Sequence, residues 1–376
     1  MTSPRRHFLK NTTAFGLAGS LGLNLKLSAK TTSGVHGIKT ISFLPNLYHG
    51  WPTLARRSNG QLLVVCSGGR EQHVCPFGRV ELQRSDDNGK TWTFPRTILD
   101  GPIDDRDAGV LETAKGSILV TTFTSLAYAS HIPTDDRRER WLAAHNRIPE
   151  KERQEELGEW MIRSSDGGIT WSERIPTIVN SPHGPTQLSD GRLLYVGKRL
   201  WSEGKEVGVC ESRDDGQSWQ WLASIPTRVG DDHQDYHELH AVEAGQGSLI
   251  VHIRNHNKTN AGETLQCESH DGGETWSTPH VIGVWGLPSF LTRLRDGRLL
   301  MSYGHRRQPF GNQARVSEDQ GKTWSEPVMI SGDGASGDLG YPSTVELADE
   351  TLLTVWYEKT DQSNFAVLRQ AHWKLD

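Results

Sequence analysis

Residue types able to carry acid–base or anion-binding chemistry recur in this 376-residue chain at six places, each just before an apolar, strand-forming stretch. Tyr48 and His49 come first, then Asp104-Asp105-Arg106-Asp107, then His183. The fourth place supplies Asp231, Asp232, His233, Tyr236, His237 and Glu238, the fifth Trp285, and the sixth Asp338 and Tyr341. Carboxyl groups and imidazoles give and take protons. Guanidinium groups hold an anion in bidentate fashion. Scattered over a surface such residues mean little, but gathered about one axis they make a single polar pocket.

The elements that must gather them are short strands. Six times the chain runs apolar strand, tight turn, apolar strand: residues 51–65, 109–120, 185–195, 239–251, 288–301 and 341–354. Interleaved with these hairpins, the pattern S-x-D-x-G-x-[ST]-W occurs five times, at residues 85–92, 164–171, 212–219, 269–276 and 317–324. Its Asp can accept hydrogen bonds from nearby backbone N–H groups, its Gly supplies a left-handed backbone position, and its Trp can bury a large apolar face between neighbouring sheets. Hairpin, strand, turn, strand is a four-stranded blade, so residues 37–376 are expected to form an all-β, six-bladed β-propeller. The sixth unit lacks the turn motif, and residues 38–44 are expected to complete it by pairing with residues 365–373. In a propeller the innermost strands enter from one face, which is what would bring the six polar places together.

The first two turn motifs lie 79 residues apart, against 48, 57 and 48 for the later gaps. The excess, residues 131–160, is rich in Arg and Glu and reads as one or two short helices inserted in the second blade. It is expected as a solvated surface insertion, or alternatively as a rim over the pocket.

A net charge of -5 offers no support for nucleic-acid or anionic-membrane binding. Four cysteines (Cys66, Cys75, Cys210, Cys267) are too few for a disulfide scaffold of this length and read as buried thiols. Residues 1–29 read as a targeting segment, with Arg5-Arg6 ahead of an apolar run at 14–23 too short to span a bilayer. This resembles a twin-arginine export signal and implies a bacterial periplasmic or secreted protein, with no membrane insertion of the mature chain.

The turn motif resembles the Asp-box of the sialidase superfamily, and the resemblance extends over the whole chain after the signal. His237-Glu238-Leu239-His240-Ala241-Val242-Glu243, followed by Gly247 and by Arg254, is similar to that family's N-E-x-x-V-x-E-x-x-x-G segment and the arginine beyond it. Tyr341-Pro342-Ser343-Thr344-Val345 resembles its Y-S-S-L-A, and Trp356-Tyr357-Glu358 its terminal Y-E. The resemblance implies Tyr341 as nucleophile, Glu238 as its base and Glu358 as support. It also implies Arg254, with Arg306-Arg307, as carboxylate-binding groups. A phenol, with a reference pKa of about 10, needs such a base before it can attack, and tyrosine-nucleophile sialidases are a recognised exception to the two-carboxylate rule. Asp105 and Asp107 are both candidates for the acid/base. One departure stands out: Gly50-Trp51-Pro52 occupies the place of the family's R-I-P, so its first arginine is missing. Arg70, in Gly68-Gly69-Arg70, resembles the E-G-R segment that follows. Arg106, His49, Trp51, His183 and His237 complete the set of expected substrate-binding residues.

The expectation is an exported exo-glycoside hydrolase releasing a terminal acidic, sialic-acid-like sugar with retention, needing no cofactor or metal. Alternatives on the same fold are a non-catalytic carbohydrate-binding propeller, a uronate-specific glycosidase, and a polysaccharide lyase using His183, His233 and His237 as bases.

Overall fold

The computed structural model describes residues 34–44 and 46–375. The twin-arginine segment lies outside the described residues. Six antiparallel four-stranded sheets follow one another along the chain, and they are the six blades expected from the repeats. Their inner strands are Tyr48–Arg56, Asp104–Glu112, Thr186–Gln187, Tyr236–Gly245, Ser289–Arg293 and Leu339–Glu346. The ring is closed by His36–Thr40, which pairs with Val367–Trp373 in the register Lys39↔Gln370 and Thr40↔Arg369. Blade 6 is thus built from both ends of the described chain, which ties the first blade to the last.

The repeated motif is a self-contained hydrogen-bonded turn. Ser85 Oγ donates to Asp87 Oδ1 (2.8 Å) and accepts from the Gly89 N–H (2.8 Å). Asp87 accepts the Thr91 N–H (2.8 Å) and the Thr91 hydroxyl (2.6 Å). The same contacts recur around Asp166, Asp214, Asp271 and Asp319. The glycine is required: Gly321 has φ 84°, and a Cβ there would sit 2.1 Å from Ile250 Cδ1. The motif's tryptophan packs across the gap to the preceding blade, Trp92 against blade 6 and Trp276 against blade 3. Each interface so filled contributes on the order of 2–3 kcal/mol per buried aromatic.

The insertion in blade 2 holds the short helices Arg138–His145 and Glu150–Glu155. Most of its residues are exposed, as expected of a surface insertion, but it is anchored at one point. Trp141 is fully buried with Tyr128 and Cys75, and its Nε1 donates to Glu71 Oε2 at 2.7 Å. Arg140 holds the other Glu71 oxygen at 2.7 Å. The helices therefore brace the loop 71–77 of blade 1, whose His73 faces the pocket described below. The four cysteines are buried and unbridged. Among the described residues no helix is long and apolar enough to cross a membrane.

Candidate active site

Four inner strands share one irregularity. Register shifts interrupt them between Gly50 and Thr53, Arg106 and Gly109, His237 and His240, and Gly340 and Ser343. At each bulge a non-glycine residue is left-handed: Trp51 (φ 54°), Asp107 (φ 51°), Glu238 (φ 44°) and Tyr341 (φ 53°). A bulge re-aims a side chain that regular pleating would send elsewhere. All four line one pocket of about 190 Å³, with His73, Arg106, Arg254, His256, Arg306 and Tyr357. Left-handed backbone at non-glycine residues costs of order 1–3 kcal/mol each, and such strain clusters where function holds it.

Tyr341 donates its hydroxyl proton to Glu238 Oε1, and Arg254 Nη1 donates both to Glu238 Oε2 and, at 3.0 Å, to the Tyr341 oxygen. Arg254 arrives opposite His237 on the adjacent strand Ser248–Asn255, two residues before His256, whose Nε2 faces Arg254 Nε at 2.7 Å. Burial by itself would raise the Glu238 carboxyl, but Arg254 and the Tyr341 hydrogen bond bring it down to about 2. Burial, and then the Glu238 charge, push the Tyr341 phenol well above its ordinary value. At rest the proton therefore sits on Tyr341 and Glu238 is ionised.

Among the residues lining this pocket, buried side-chain atoms without a protein partner are Arg306 Nε and Nη2, Arg106 Nε and Asp107 Oδ1. The Arg106 guanidinium lies 4.6 Å from the Trp51 ring centroid, and that of Arg306 lies 5.9 Å from the Tyr341 ring. With Arg254 they make three guanidinium groups facing one pocket, Arg106 arriving from blade 2 while blade 1 offers Trp51. Burial raises the Asp107 carboxyl to about 7, against the pull of Arg106 and with a further push from Glu238. Among the described residues no group of three or more His, Cys, Asp and Glu is placed to hold a metal ion.

Several expected site residues are elsewhere. Asp105 is fully buried and accepts the Gly101 N–H at 2.6 Å, so of the two acid/base candidates only Asp107 lines the pocket. Arg70 is fully buried and committed to Asp104 through bonds of 2.6 and 2.8 Å. His49 is buried against the Leu47 carbonyl and Glu81. His183 packs on His240 and Phe290, 6.1 Å from the Tyr341 ring, and lines a separate cavity of about 350 Å³. His237 stacks near His256 without lining the pocket, and Arg307 lies exposed over Trp285 at 3.5 Å. Glu358 is buried in an ion pair with Arg369. The pre-strand acids of blade 4 serve its loop: Asp231 bonds Arg228 and Tyr236, and Asp232 caps the turn His233–Asp235. His233 bonds the Gly204 carbonyl. The three histidines expected as lyase bases thus stand outside the pocket.

Three lining residues escaped the sequence reading. Tyr357 lies one position before Glu358, and alternation along a strand could have pointed to it. His256 is two residues beyond Arg254, one position past the end of its strand. His73 lies in a loop that carries no periodic signal.

The BNR repeat-like domain family matches residues 44–239 and 149–354. A sialidase of Bacteroides fragilis is 24% identical over 344 residues, covering 82% of this chain and 59% of that protein. The chain thus spans less than two thirds of that relative. Among solved structures, a protein of unknown function from Dyadobacter fermentans superposes with a TM-score of 0.75 at 20% identity, covering 92% of this chain and 99% of that one. The NanB sialidase of Streptococcus pneumoniae superposes with a TM-score of 0.62 at 18% identity, covering 90% of this chain and 70% of that one.

Proposed function

We propose, from the premise that this chain belongs to the BNR repeat-like family, that it is an exo-acting glycoside hydrolase of sialidase type, cleaving a terminal acidic sugar with retention. The observation that carries this reading is the Tyr341–Glu238–Arg254 cluster, a phenol hydrogen-bonded to an ionised carboxylate beside a fixed guanidinium. Tyr341 attacks the anomeric carbon as its proton passes to Glu238. A neutral nucleophile of this kind avoids the repulsion that a bare carboxylate would exert on an anionic sugar.

Two guanidinium groups with donors to spare, beside the fixed Arg254, favour a carboxylate-bearing sugar over a neutral one, since charge-assisted bonds would satisfy the orphaned N–H groups of Arg106 and Arg306. Asp107, protonated near neutral pH, is suited to donate a proton to the departing oxygen. Arg5-Arg6 and the run behind it support export by the twin-arginine route to the periplasm or beyond. The wild-type protein should turn over a chromogenic sialoside or uronide and ignore neutral glycosides. A matching fluorosugar should leave its label on Tyr341. Label on a carboxylate would refute the nucleophile, and saturable binding without turnover would make the protein a lectin.

A further inference from the structure

The axis of the propeller opens at its other end into a second cavity of about 350 Å³, within the size range of ligand pockets. Its walls come mainly from the later residues of the inner strands, whereas the candidate active site is lined from the earlier ones. Every blade contributes an apolar side chain: Leu54, Val110, Pro185, Val242, Leu291 and Val345. His183 stands between the two pockets. It lines this cavity, is 2% exposed, and packs 5.2 Å from His240, 5.5 Å from Phe290 and 6.1 Å from the Tyr341 ring. Neither of its ring nitrogens has a hydrogen-bond partner among the described residues. Burial lowers the His183 imidazole to about 4, against the pull of Glu238, so at neutral pH it offers one N–H and one bare nitrogen. A buried polar group left unpaired costs about 1–3 kcal/mol, which a hydrogen-bonding occupant would recover.

The outer end carries charge. Arg56 and Arg293 line it, both are exposed, and neither has a hydrogen-bond or ion-pair partner among the described residues. The two lining carboxylates are already engaged. Glu112 accepts from Arg57 at 2.7 Å, and Glu243 accepts from the Ser189 N–H at 2.7 Å and its hydroxyl at 2.8 Å. The Thr186 and Thr292 hydroxyls donate to backbone carbonyls. The side chains left open are therefore an imidazole at the inner end and two guanidinium groups at the outer. Arg293 lies three residues beyond Phe290 on one strand, about 10 Å along the cavity. We propose that this cavity binds a small amphipathic carboxylate, with a hydroxyl bonded to His183, an apolar body against the blade walls, and the carboxylate held by Arg56 and Arg293. A hydroxyaryl acid such as 4-hydroxycinnamate carries its groups in that order and over that span. The site lies at the opposite end of the axis from the sugar pocket and does not depend on the reaction proposed there.

The test is calorimetric titration of the purified protein with 4-hydroxycinnamate at neutral pH, where saturable binding at one site is expected. Cinnamate, which lacks the hydroxyl, should bind about tenfold more weakly, and 4-hydroxycinnamyl alcohol, which lacks the charge, on the order of 10²-fold more weakly. Arg56→Gln and Arg293→Gln, both at exposed positions, should each weaken 4-hydroxycinnamate about tenfold. Arg306→Ala, in the sugar pocket, should leave its affinity unchanged. His183→Phe keeps a ring and removes both nitrogens, so the two acids should bind it alike; their comparison on the wild type stands without that variant. Absence of saturable binding, or equal affinity of the wild type for the two acids, would overturn the proposal. So would loss of binding in Arg306→Ala with Arg56→Gln and Arg293→Gln unaffected, which would place the acid in the sugar pocket.

Discussion

Asp105 and Asp107 are neighbours with the same electrostatic displacement and different surroundings, so each is the other's control. Burial raises both carboxyls from 3.8 to about 7. At about 1.4 kcal/mol per pKa unit, a displacement of about 3 units corresponds to about 4 kcal/mol for each group. The sign follows from proton uptake: with the folded value above the unfolded one, the folded state holds an extra proton between pH 4 and 7. Each carboxyl's contribution is therefore fully present below pH 4 and lost as pH rises through 7. Asparagine cannot ionise. Asp105→Asn and Asp107→Asn should each gain about 4 kcal/mol relative to wild type between pH 4 and pH 8, on top of a pH-independent cost for the new buried amide. Urea unfolding at the two pH values measures the difference. Only Asp107→Asn should also lose kcat/KM, by roughly 10²- to 10⁴-fold with poor leaving groups. A stability difference independent of pH in both variants would mean that both carboxyls are ionised in the folded protein, and Asp107 could not then be a proton donor at neutral pH.

Tyr341→Phe and Glu238→Gln should each lose activity by several orders of magnitude, and the double variant should be little worse than either, because the two act as one unit; kcat/KM of the three proteins tests this. Arg306→Ala and Arg106→Ala should each raise KM for an acidic sugar by about 10- to 100-fold with little effect on thermal stability, since neither guanidinium has a full set of protein partners to lose. Limited proteolysis of the wild type should spare residues 131–160, and Trp141→Ala, which empties a fully buried site at a cost of about 3–5 kcal/mol, should open that segment to cleavage. Cleavage at the same rate in both proteins would show that the insertion does not brace the loop.

Blade number and strand order were legible in the sequence because they rest on local chemistry repeated many times. A Ser, an Asp, a Gly and a Trp within eight residues make the same turn wherever they occur, and the Trp has one place to be buried, against the preceding blade. Pairing of the first strand with the last was likewise demanded by an unfilled place in the sixth unit. Tyr341, Glu238 and Arg254 could be named in advance from their motifs. What they do to one another could not. Their contact joins residues 87 and 103 positions apart in the chain, and only ring closure brings blades 4 and 6 to a common axis.

The positions just ahead of the apolar stretches were an uneven guide: Arg106, Asp107, Glu238 and Tyr341 line the pocket, whereas His49, Asp105, His183 and His237 do not. Strand periodicity is two, so a single bulge exchanges the side chain that faces the axis. That one-residue shift turned Asp107 inward and left Asp105 against Gly101, a distinction that chemically identical residues two positions apart cannot express in sequence. Charge pairing decided which arginines face the pocket. Arg70 is neutralised by Asp104 in the interior, whereas Arg106 keeps an N–H without a partner in the pocket. Residue type and motif thus determined which chemistry the chain could carry. Backbone register, burial and charge pairing across the ring decided which of its residues are free to perform it.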